Sequence, residues 1–163
     1  MKRHFSMMAA YNRWANVRLY DMAAALPDEL YRKPIDVYFK SLHGTLNHIL
    51  TADRIWMYRL EGKGDHPSRL NAIIYDDIAS LRTARVAEDQ RIVSFVDNLD
   101  DEDFEKQREF QTLNGTPQRK YVRDILAHMF NHQTHHRGQA HAALTVLGVR
   151  EPAPLDLLIM QNQ

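Results

Sequence analysis

The 163-residue sequence contains no cysteine, which excludes a disulfide framework, a cysteine-ligated zinc ribbon and a cysteine nucleophile. It has no excess of one charge: 21 Lys and Arg face 21 Asp and Glu, a formal net charge of zero. The basic excess or stripe of a nucleic-acid binder is missing, so no nucleic-acid partner is expected. No apolar run approaches the length of a bilayer span, and no membrane partner is expected either. The opening MKRHFSMMAAYNRWAN reaches polar Asn12 and Arg13 before an apolar core builds up; it does not read as a signal peptide. These absences together fit a cytoplasmic protein. There is also no internal repeat and no low-complexity segment.

What is present is an ordinary globular composition, 44% apolar and 26% charged. The length suits one domain over residues 1–163 that can bury a sizeable core. The unusual quantity is nine histidines. Histidine is the commonest protein metal ligand, so composition raises the question of a metal site.

Apolar spacing predicts four long helices. The first covers about residues 4–26, with Phe5, Met8, Ala15, Leu19, Met22, Ala23 and Leu26 in register, and Pro27 ends it. The second covers about 41–60, with Leu42, Leu46, Ile49, Leu50, Met57 and Leu60 on one face and Gly62 as the stop. The third, about 75–98, is only partly periodic; its Arg82, Arg85, Glu88, Asp89 and Arg91 read as a solvated face. Residues 105–119 read as a short hairpin, because Asn114-Gly115 favours a tight turn. The fourth helix, about 120–147, stops at Gly148, and a tail over 152–158 is expected to pack back on the bundle. This is an all-α class, a four-helix bundle with a short β-hairpin before the last long helix. Loop lengths leave the connectivity open.

The informative segment is His128-Met-Phe-Asn-His132-Gln-Thr-His135-His136-Arg137-Gly138-Gln139. Imidazoles four residues apart on a helix can converge on one ion, and both His128/His132 and His132/His136 have that spacing. Val122, Ile125, Met129, Gln133, Ala140, Ala143 and Leu147 mark the expected buried stripe. His136 falls near its centre and His132 within about 70°, while His128 and His135 lie more than about 100° away. His132 and His136 are therefore the preferred pair. The competing view is that each is a hydrogen-bonded core histidine, but two on one stripe each need a partner. For a third ligand, His141 faces away from the stripe. His48 lies nearly opposite the Leu42/Leu46/Ile49 face, which disfavours it unless that helix is buried on both sides. His43, nearer the apolar face, stays a rival.

At this point the chain resembles the DinB/YfiT-like family of metal-dependent bundle proteins. The matching residues are Tyr11-Asn-Arg-Trp14-Ala-Asn16-Val-Arg18-Leu19, then Leu46-Asn-His48-Ile49 with Ala52-Asp53 and Trp56, then Asn131-His132-Gln-Thr-His135-His136-Arg137-Gly138-Gln139. The resemblance implies an up-down-down-up bundle, often a homodimer. It implies one divalent ion, zinc or nickel first, held by His48, His132 and His136. Iron and copper suit imidazole nitrogens as well. It further implies an enzyme of thiol-dependent transferase or hydrolase type acting on a small molecule, with a low-molecular-weight thiol among its partners. The alternative is a non-catalytic metal-binding stress protein with a structural ion, closed by a fourth ligand such as His128 or Asp53. Around the site, Asn12, Asp53 and Arg137 are candidates to orient the ligand histidines or touch substrate; Asn12, Asn16 and Asp53 are also explained by hydrogen bonds between helices, and Arg137 by a salt bridge within the fold.

Overall fold

A computed structural model describes residues 1–162. The helices are α1 (Lys2–Ala24), α2 (Asp28–Arg32), α3 (Leu42–Glu61), α4 (Ile78–Asp97), α5 (Val122–Val146) and α6 (Leu157–Gln161). Strands β1 (Gln107–Gln111) and β2 (Pro117–Tyr121) lie between α4 and α5. Local chemistry sets the boundaries. The Ser41 hydroxyl accepts from the Gly44 N–H at 2.9 Å and caps α3. Gly62, at φ 69°, ends α3 in a left-handed turn that most side chains resist. The Asp77 carboxylate caps α4 by accepting from Ser80 N–H at 2.8 Å.

Side-chain pairs give the helix directions. Along α1 and α4, Ser6 meets Asp97, Arg13 meets Gln90, and Asp21 meets Arg82, so the two run antiparallel. On α3 and α5, His48 meets His136 while Trp56 meets His128, again antiparallel. Asp53 pairs with Arg85 and Glu61 with Arg91, which makes α3 and α4 parallel. Phe5 stacks near Phe130 and Asn16 bonds Arg137, which makes α1 and α5 parallel. The long helices are thus up, down, down, up.

Three sequence expectations change in detail. The third predicted helix starts at Ile78, because Tyr75 N–H is taken by the Asn47 side chain at 3.0 Å. The hairpin keeps Lys120 and Tyr121 as strand, and α5 starts at Val122. Its connection is five residues, 112–116, closed by Thr112 N–H to the Thr116 carbonyl at 2.9 Å, with Gly115 at φ 82°. The tail does return over α1 and α5: Tyr11 donates to the Leu155 carbonyl at 2.7 Å, and His141 lies 3.1 Å from the Ala153 carbonyl.

The core has two apolar ends and a polar middle. Leu19, Tyr20, Leu42, Leu46, Leu50, Leu81 and Leu144 pack at one end. Phe5, Met57, Leu60, Ile92, Val96, Phe104 and Phe130 pack at the other. Between them Arg85 bonds Asp53 at 2.7 Å and Asp89 at 2.9 Å. Asn12 and Asn16 donate to Asp89 at 3.1 and 2.9 Å. Arg137 donates to Gln133 at 3.2 Å and to Asn12. Arg85, Glu88 and Asp89 are therefore buried and do not form the solvated face expected of the third helix. The reason is that α4 packs against both α1 and α3, so a charged stripe on it faces the polar middle.

Candidate metal centre

Three imidazoles meet at the level of that polar middle, on its flank between α3 and α5. His48 Nε2 lies 3.2 Å from His132 Nε2 and 3.2 Å from His136 Nε2. His48 comes from α3, which is buried on nearly every side from Leu42 to Ile55. Burial on both sides lets one face pack against Leu46 and Ile49 neighbours while the opposite face carries an inward histidine. His132 and His136 are half-buried. The stripe centre on α5 runs through Gln133, Arg137 and Ala140, so His136 sits at its edge, not at its middle as the wheel suggests. The edge position is what exposes the ring to a cavity.

Hydrogen bonds on the far side of two rings set their tautomers. His48 Nδ1 lies 2.7 Å from the Leu70 carbonyl oxygen, and His136 Nδ1 lies 2.8 Å from Gln139 Oε1. A nitrogen facing an acceptor at that distance carries the proton. In the neutral rings both Nε2 atoms are therefore lone pairs, and they face one another. Two such acceptors at 3.2 Å repel unless a cation shares them. A proton does not serve, because burial pushes His48 down to about 4 and holds His136 below its ordinary value as well. The spacing matches a metal instead: bonds of about 2.05 Å in tetrahedral geometry put ligand nitrogens about 3.3 Å apart. The three histidines can hold a metal ion, their ligand atoms all lying within 4.8 Å of one another. His132 Nδ1 is buried with no hydrogen-bond partner among the described residues.

The other candidate residues lie elsewhere. His43 bonds the Tyr31 hydroxyl at 3.0 Å. His128 packs edge-on against Trp56, with ring centroids 4.6 Å apart. His135 is exposed and accepts from Gln139 Nε2 at 3.0 Å. Asn12, Asp53 and Arg137 bond one another's partners in the interior network, and no hydrogen bond between them and the three rings is present among the described residues. The groups that orient the rings are the Leu70 carbonyl and Gln139. Gln139 stands in the quoted motif, but a backbone carbonyl from residue 70 leaves no mark in sequence. Phe39 is also unsignalled: its ring stacks on His48 at 3.9 Å and 18°. Gly44 makes room for it, since a Cβ there would stand 2.2 Å from the Phe39 carbonyl oxygen.

The open side of the centre faces a cavity of about 810 Å³ whose walls include Tyr38, Phe39, Lys40, Leu70, Ile73 and His135. No described residue lining it carries a carboxylate. With the geometry in view, comparison with known proteins is decisive at the level of family: the DinB family model matches residues 1–162. The chain belongs to the DinB family. It is 27% identical over 152 residues to Protein DinB of Bacillus subtilis (strain 168), covering 90% of this chain and 87% of that protein. The fold is similar to the crystal structure of a DinB-like protein from Bacillus cereus ATCC 10987, with a TM-score of 0.64 at 20% identity over 82% of this chain and 86% of that one. Among the described residues no helix is long and apolar enough to cross a membrane.

Proposed function

We propose that this DinB protein is a metal-dependent enzyme acting on a small molecule, with zinc or nickel held by His48, His132 and His136. The observation that carries this reading is the pair of lone-pair nitrogens facing each other at 3.2 Å beside an open cavity. Three protein ligands and an open side are the arrangement of a catalytic site, whereas structural sites are closed by a fourth. The two candidates for a fourth are engaged elsewhere, His128 against Trp56 and Asp53 with Arg85. A bound ion supplies Lewis acidity, which polarises a substrate atom or lowers the pKa of a thiol or water toward neutrality.

The residues of the chain do the rest. The Leu70 carbonyl and Gln139 hold two rings in the tautomer that leaves Nε2 free. Phe39, laid on His48, together with Leu70 and Ile73, gives the cavity an apolar wall beside the rings. A thiol-dependent transferase suits this site: the thiol gives its proton to solvent, its sulfur forms a bond to an electrophilic carbon, and the bond from that carbon to the leaving group breaks, the leaving group taking the electron pair. The setting proposed is cytoplasmic and the assembly a homodimer. The test is transfer of a low-molecular-weight thiol to an aryl halide by metal-loaded protein. Activity is expected to vanish on chelation and in His136→Ala; transfer that persists after complete metal removal defeats the proposal.

A further inference from the structure

A second recess, of about 520 Å³, opens between α3, α5 and the hairpin turn. It shares Leu70 and His132 with the cavity at the metal centre, so the two adjoin at the His132 ring. On α3, His48, Ala52, Trp56 and Arg59 fall on one face at helical spacing. Ala52 keeps the floor low, and Trp56 and His128, packed edge-on with ring centroids 4.6 Å apart, line one side together.

Among the described residues, Arg59 is the one arginine that lines this recess. Its guanidinium lies 4.3 Å over the Trp56 ring and 4.7 Å over the Phe110 ring. Its one hydrogen bond is to the Gln111 carbonyl at 3.5 Å. Arg54, Arg82, Arg85, Arg91 and Arg123 each have a carboxylate partner. Arg59 has none among the described residues, and no described residue lining the recess carries a carboxylate. A planar cation held on two aromatic faces, with donors to spare, is preorganised for a carboxylate. At about 1.5 Å per residue it stands about 16 Å along α3 from His48.

We infer that this recess is a substrate subsite, in which Arg59 binds the carboxylate of an aryl or alkyl acid whose body lies on Trp56 and whose far end reaches the histidine centre. The inference rests on the metal-centre reading above. It fixes the substrate class as an elongated, apolar, singly anionic molecule.

The test uses zinc-loaded Trp14→Phe protein, in which Trp56 is the remaining tryptophan, titrated with 4-phenylbutanoate and with its neutral amide. Trp56 emission is expected to change, and the acid to bind about tenfold tighter than the amide. Arg59→Gln is expected to bring that ratio to about one while the amide still binds. Leu113→Glu, on the exposed rim, is expected to weaken the acid alone. A preference unchanged in Arg59→Gln, silent Trp56 emission at saturation, or no binding of either probe overturns the inference. Repeating the titration on metal-free protein separates the two readings. A preference that survives metal removal is Arg59's, whereas one that vanishes with the metal and survives Arg59→Gln belongs to the ion and defeats the subsite alone. Zinc content, measured independently, tests the centre itself.

Discussion

Each of the three imidazoles is held differently: His48 by a backbone carbonyl, His136 by Gln139, and His132 by neither. Partners behind metal ligands typically contribute 10–100-fold in affinity. Gln139→Leu is therefore expected to weaken metal binding by about that factor without unfolding the protein, as measured by competition with a chromophoric chelator. The same burial that makes the rings good ligands has a pH signature. His48 and His132 are pushed to about 4 and about 3 from an ordinary 6.5, mainly by desolvation. A depressed folded value means stability is fully present above 6.5 and is lost as pH falls toward those values. Asp89 acts oppositely. Burial raises it to about 6 from 3.8, so its contribution is present below 3.8 and is lost as pH rises through 6. Burial also lowers His43, His128 and His136 and raises Asp53 and Glu88, so five histidine shifts stand against three carboxyl shifts and metal-free protein is expected to lose stability between pH 6.5 and 4. His48→Gln/His132→Gln is expected to flatten that slope in denaturant titrations.

At the scale of elements, α3 does the positioning. It is buried on nearly all sides, and its Asn47 clamps the long α3–α4 connection: Oδ1 accepts from Ile74 and Tyr75 N–H at 2.9 and 3.0 Å. That clamp holds the segment whose Leu70 carbonyl fixes His48. Asn47→Ala is expected to speed amide exchange over residues 70–75 and to lower metal affinity while α3 stays helical, as hydrogen exchange and chelator competition can show. How much of this is legible in sequence follows from which contacts are local. The four long helices, the Asn-Gly hairpin and the His132/His136 pair rest on spacing within one element, and spacing displays them. Motif resemblance adds His48, which the helical wheel alone disfavours because it assumes one buried face per helix. Leu70, Phe39 and the short α2 depend on how loops cross α3, and no periodicity encodes that. The burial of Arg85 and Asp89 is hidden for a related reason: a charged stripe looks the same whether it meets water or a buried partner.

For the whole molecule, the polar middle joins all four long helices through Asn12, Asn16, Asp53, Arg85, Asp89, Gln133 and Arg137. Removing one partner from such a buried network leaves an uncompensated charge and typically costs about 3–5 kcal/mol. Arg85→Leu, which strands Asp53 and Asp89, is expected to destabilise by about that much in denaturant titrations. Metal stoichiometry in the folded fraction is expected to stay unchanged, because Arg85 does not touch the histidines. The network orders the bundle, and the three histidines that can hold a metal ion sit on its flank. Diffraction from crystals of the metal-loaded protein, recorded on both sides of the metal absorption edge, tests that assignment most directly. A single anomalous peak about 2.0–2.1 Å from Nε2 of His48, His132 and His136 is expected. A peak elsewhere, with those three nitrogens turned apart, contradicts it.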